Sequence, residues 1–189
     1  MAESDRLAIE LEAERNRLVR LTRMGIGMPI AGMLFWLVFA FLVARFKIDG
    51  AVVLAFFATG LVFPLGAGIT RLLGGDLFAR SRTFTSLGLI LAAVQLFYWP
   101  VIIVLYQIAP VWVPYAIAVL FGSHFLPYLW LYRSRGYALL AILTTLATTA
   151  TVLVARGPAP LAVTLVAAGC YLASLFVIRA EVAAALRSR

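Results

Sequence analysis

Residues 83 to 132 hold no Asp, Glu, Lys or Arg across fifty consecutive positions. The stretch runs through LGLILAAVQLFYWPVIIVLYQ, turns at Ile108-Ala109-Pro110, and returns as VWVPYAIAVLFGSHFLPYLWLY before closing at Arg133. A membrane helix needs about 20 apolar residues, so this run supplies two spans joined by a short turn. No other feature constrains the fold as tightly. The hairpin also carries both Gln residues and the single His. Any polar site in the membrane is therefore sought here first.

The rest of the chain follows the same pattern. Of 189 residues, 64% are hydrophobic and 13% charged, and the mean hydropathy is +1.03. That charge content is about half the share usual in soluble domains. At about 1.5 Å per helical residue, six spans with short loops account for the length, which leaves no second globular domain. The spans are expected near 24–44, 51–73, 86–107, 111–132, 137–155 and 160–178. Residues 1–23 are expected as a short amphipathic cytoplasmic helix, and 180–189 as a cytoplasmic tail. In that first segment Ser4 suits an N-cap, and Asp5 suits the positive end of a helix dipole. Leu7, Leu11, Leu18 and Leu21 form a narrow apolar stripe that Glu14 interrupts. It reads as a solvated lead-in, with a surface-lying helix or pairing with a second copy as alternatives. No signal peptide is read at the N-terminus.

Charge fixes the expected orientation. The N-terminal segment, the second and fourth loops and the tail carry thirteen Arg, whereas the other loops carry Arg45, Lys47 and Arg156. The positive-inside rule places both termini in the cytoplasm. It also accounts for the net charge of +8 without a nucleic-acid partner.

Helical rise converts residue number into depth. Gln95 lies about 13 Å in from the cytoplasmic end of span three, and His124 about 20 Å from the outer end of span four. In a core of about 30 Å the two meet at similar depth. Pro100 frees the carbonyl of Leu96, and Pro127 that of Ser123. Such a polar layer is expected only against protein or a wet cavity. One reading is therefore a cytoplasm-facing cavity lined by Gln95, Tyr98, Trp99 and Tyr106 on span three, and by His124 and Tyr128 on span four. It would take a small flat or amphipathic ligand, oriented by Gln95 and His124. The other reading is a plain hydrogen bond between Gln95 and His124, contributing about 1 kcal/mol. Trp36, Trp112 and Trp130 then act as interface anchors.

Several chemistries are excluded. One His, one Cys and no carboxylate inside any span leave no metal cluster, no paired-carboxylate site and no cofactor to assign. Ser123 and His124 are adjacent on a helix and point about 100° apart, so they form no nucleophile and base pair. An intramembrane lipid enzyme with His124 as general base lacks a second catalytic group. Three functions follow in order: binding or transport of a small molecule, an accessory subunit packing against a second copy or another membrane protein, and the lipid enzyme.

The stretches GLVFPLGAGITRLLGGDLF, VQLFYWPVIIVLY and GSHFLPYLWLYRSRGY resemble a family of uncharacterised six-span prokaryotic integral membrane proteins, catalogued as a domain of unknown function. The resemblance implies an all-α inner-membrane bundle of six spans. It brings no activity, cofactor or binding residues.

Overall fold

The computed structural model describes residues 3–81 and 84–187. The described residues are helical throughout, with no strand. Helix α1 (Glu3–Thr22) leads through a 3-10 turn (Arg23–Gly25) into α2 (Gly27–Arg45), and α3 spans Ile48–Leu72. The hairpin is α4 (Thr85–Ala93), a 3-10 segment (Val94–Tyr98), α5 (Trp99–Ile108), a second 3-10 turn (Pro110–Trp112), α6 (Val113–Ser123) and α7 (Leu126–Tyr132). Helices α8 (Arg135–Ala155) and α9 (Pro160–Arg187) complete the chain. Six helical runs are long and apolar enough to cross a membrane: Glu3–Arg45, Ile48–Leu72, Ser86–Ile108, Pro110–Tyr132, Arg135–Ala155 and Pro160–Arg187.

The expectation of a short N-terminal helix is corrected. Glu3–Thr22 has no Pro or Gly to stop it, so it makes five and a half turns. A tight 3-10 turn, not a loop, then joins it to α2, and the first run is 43 residues long. The turn is reached through positive φ at Arg23 (51°), Met24 (54°) and Gly25 (63°). The buried face of α1 also differs from the leucine stripe. Arg15, Leu18, Val19 and Thr22 are buried, whereas Leu7, Leu11 and Leu21 are exposed.

The interior is built from α2, with α3 on one side and α9 on the other, then α8 against α9, and α6 and α7 against α8. Small residues set these contacts. A Cβ on Gly27 would collide with the Gly66 carbonyl and Thr70 of α3, and one on Gly66 would strike Met28. Thr70 Oγ1 uses the close approach: it accepts from the Gly27 N–H at 3.2 Å and donates to the Gly66 carbonyl at 2.8 Å. Likewise Gly32 receives the Tyr171 ring, Gly122 faces Thr144, and Gly136 abuts Ile178. Without a hydrophobic drive between helices in lipid, such backbone approach is the main source of packing.

The third span is the exception. In its apolar window 6% of residues are buried, against 44% in the first and sixth runs, so it lies at the edge of the bundle. It is also irregular, as is the fourth span: Pro100 is the second residue of α5 and Pro127 of α7, and the regular helix gives way in the turn before each one.

Gly27→Ala is expected to destabilise the protein by about 1–3 kcal/mol, as overpacking does. Gly60→Ala, where an added Cβ meets nothing within 4 Å, is expected to be neutral. Unfolding in detergent measures the difference, and equal effects would remove the close-packed seam from the account.

Candidate functional site

The two irregular turns of the hairpin face each other. Gln95 lies in the 3-10 segment Val94–Tyr98, and His124 lies between the end of α6 and the start of α7. Their side chains meet at 2.6 Å, Gln95 Nε2 to His124 Nε2. The other ring nitrogen, Nδ1, stands 2.8 Å from the Phe121 carbonyl oxygen. A carbonyl only accepts, so Nδ1 carries the proton and Nε2 is the acceptor of a neutral ring. The Gln95 amide nitrogen therefore donates to it. The local break follows from the sequence. Pro127 cannot donate to the Ser123 carbonyl, and Phe125 N–H bonds Gly122 at 3.2 Å instead. The carbonyl left at Phe121 takes the imidazole.

His124 is buried, and its ring packs on Phe125 at 4.2 Å and on Tyr128 at 5.9 Å between centroids. From there a cluster of rings continues toward the Arg-rich end of the bundle. Tyr128 contacts Tyr132 and Tyr137 at 5.8 and 5.7 Å, and Phe125 stacks on Tyr137 at 5.7 Å. Tyr171 meets Phe125 edge-on at 5.9 Å. The cluster ends where the Tyr137 hydroxyl donates to the Met24 carbonyl at 2.7 Å, inside the 3-10 turn below α2.

The six residues picked out from the sequence fall into two groups. Gln95, His124 and Tyr128 are joined by the contacts above. Tyr98 borders them through Phe121, at 5.9 Å between ring centroids. Trp99 and Tyr106 turn to α3, where both pack edge-on against Phe56 at 5.3 and 5.7 Å. A groove of about 230 Å³ lies on another side of span four, lined by Ser123, Leu126, Ala141, Ile142, Thr145 and Leu146. None of the six residues lines it. Phe125, Tyr137 and Phe56 escaped the sequence reading. Depth alone would have put Phe125 in the layer of His124; it puts Tyr137 at the very start of span five, and nothing in the sequence singles out Phe56. Among the described residues no group of three His, Cys, Asp or Glu could hold a metal ion, and Cys170 is buried as a free thiol.

Fold and contacts of the described residues together define a helical protein with six candidate membrane spans and a partly buried polar pair in its central hairpin. Over residues 11–181, from within α1 into α9, the chain matches a family of unknown function, DUF7010, and it belongs to that family. No curated protein matches it. No solved structure matches it either.

A double-mutant cycle of His124→Ala and Gln95→Ala, read by unfolding in detergent, is expected to give a coupling energy of about 1 kcal/mol. A coupling indistinguishable from zero would mean that the pair is not bonded in the folded protein.

Proposed function

We propose that this is a multi-pass protein of a prokaryotic inner membrane, with both termini cytoplasmic. It binds, or helps to move, a small amphipathic or aromatic molecule on the cytoplasm-facing side of the hairpin of spans three and four. The observation that carries the reading is the 2.6 Å contact between Gln95 and His124. It adds a neutral polar pair to the few apolar contacts that hold the least buried span to the bundle. A ligand offering an acceptor to Gln95 and a donor to His124 replaces that bond without stranding either group. Span three is thinly packed, which lets it yield at low cost. Tyr98 and Tyr128 border the pair and supply ring faces to a flat ligand. Trp99 and Tyr106 enter only if span three rotates away from Phe56.

A second reading has its own support. Phe57 and Leu61 on α3, and Phe97 and Val104 on span three, are exposed apolar residues on the outer side of the two least buried spans. An accessory subunit of a larger membrane assembly would use such a side for helix packing, with no ligand chemistry of its own.

The deciding experiment is a thermal-shift screen of wild type and His124→Ala with flat aromatic and quaternary ammonium compounds. A ligand at a hundred times its dissociation constant adds about 2.7 kcal/mol. A stabilising compound whose effect is lost in His124→Ala is the expected result. No stabilisation by any compound, together with co-purification of a membrane partner, would favour the accessory subunit.

A further inference from the structure

Arg15 is 8% exposed, a burial that is rare for a cation. Its guanidinium carbon stands 4.5 Å from the centroid of the Trp130 ring and 5.9 Å from that of Phe84. The two rings themselves meet edge-on at 6.0 Å. Nearby charges are already engaged: Arg17 pairs with Glu14 at 3.5 Å, and Arg133 pairs with Glu12. Among the described residues Arg15 has no carboxylate partner and no hydrogen bond from its guanidinium, and its Nε is enclosed without an acceptor. A guanidinium carries five N–H donors. Desolvating it without an anion is strongly unfavourable, and stacking on rings offsets only part of that cost. The missing half of the interaction is an anion.

The surroundings say which anion. Trp130 is 53% exposed and lies near the end of α7, two residues from Tyr132, on the Arg-rich face of the bundle. An amphipathic ring at a span end marks the headgroup level of a bilayer. Leu126, Leu129 and Trp130 are exposed on α7 at relative positions i, i+3 and i+4, so the three side chains form one apolar stripe leading into the membrane. A free phosphate has no use for that stripe, whereas an acyl chain does. We propose that Arg15 and Trp130 form a site for one acidic phospholipid of the leaflet on the Arg-rich face. Arg15 holds the headgroup phosphate through its N–H edge, and the chain lies along Leu126 and Leu129. Stacking on Trp130 keeps the guanidinium planar edge free for the phosphate, a role that Lys cannot take. The lipid then fastens α1 to α7 beside the Glu12–Arg133 pair. The site is independent of the ligand reading of Gln95 and His124.

The test titrates the full-length, detergent-purified protein with phosphatidylglycerol, phosphatidylcholine or inorganic phosphate, and follows Tm. Phosphatidylglycerol is expected to raise Tm more than phosphatidylcholine does, and inorganic phosphate to leave it unchanged. Arg15→Gln and Arg15→Lys are expected to lose the difference between the two lipids. Arg17→Gln, at an exposed position, is expected to keep it. Photoreactive phosphatidylglycerol supplies a readout on wild type alone, with cross-links expected on α1 and α7 around Arg15 and Trp130. The proposal is overturned if Arg15→Gln keeps the full difference, or if Arg17→Gln loses as much, which would mean diffuse attraction. Stabilisation by inorganic phosphate equal to that by the lipid, or cross-links elsewhere, would also overturn it.

Discussion

Hydrocarbon offers no hydrogen-bond partner to a peptide group, and the irregular turns at the α1–α2 junction and in the hairpin are resolved against that constraint. The helices satisfy themselves. Some turns close on local backbone bonds, as at Ala109–Trp112 and Leu153–Arg156, and others recruit a side chain or a distant stretch of backbone. At the junction of α1 and α2 the buried carbonyl of Met24 accepts from the Tyr137 hydroxyl of α8. Close by, the Leu21 carbonyl accepts from the Asp76 N–H at 2.7 Å, and Arg23 Nε donates to Gly74 at 3.3 Å. In the middle of the hairpin the Phe121 carbonyl receives His124 Nδ1. His124 thus has a structural task, completing the backbone, before any functional one. Its second nitrogen is what remains for chemistry.

The same economy separates the tight part of the bundle from the loose part. In α8 the hydroxyls of Thr148, Thr149 and Thr151 fold back onto carbonyls one turn earlier, at 2.7, 2.7 and 2.8 Å. Thr148 and Thr151 thereby satisfy themselves, whereas Thr149 also bonds the Tyr115 hydroxyl of α6 at 3.2 Å. Thr144 instead fills the gap left by Gly122. Seams of this kind hold α2, α3, α6, α8 and α9 together through close backbone approach. Span three has no such seam to the bundle interior. It rests on Phe56 through Trp99 and Tyr106, and on His124 through Gln95. A span held by three ring contacts, the buried Ile102 and one polar pair is the most thinly packed element, and the proposed ligand site is on it for that reason.

Much of this was legible in the sequence, and the gaps have physical causes. Six apolar runs follow from the length of uncharged segments. Counting depth from the span ends was enough to bring Gln95 and His124 to one level, because rise per residue is nearly constant. Pro100 and Pro127 marked where the hairpin helices loosen. Rotation about the helix axis was not legible. The 3-10 segment at Val94–Tyr98 changes the angle between successive side chains, so Trp99 and Tyr106 leave the face of Gln95 and turn to α3. Nor was the burial of Arg15. In α1 the charged positions read as solvated and the leucines as the contact face, but the ring of Trp130 accepts the guanidinium and turns the helix accordingly. Periodicity counts apolar residues and misses a cation that packs as one.

The central claim is that His124 is a neutral imidazole with its proton on Nδ1 and its Nε2 bonded to Gln95. The chain has a single His, so nitrogen-15 histidine labelling reports this residue alone. Nitrogen NMR of the protein in detergent or bilayers is predicted to give one slowly exchanging Nδ1–H tautomer whose Nε2 signal shifts in Gln95→Ala. An Nε2–H tautomer, or tautomers averaging through contact with water, would contradict the account.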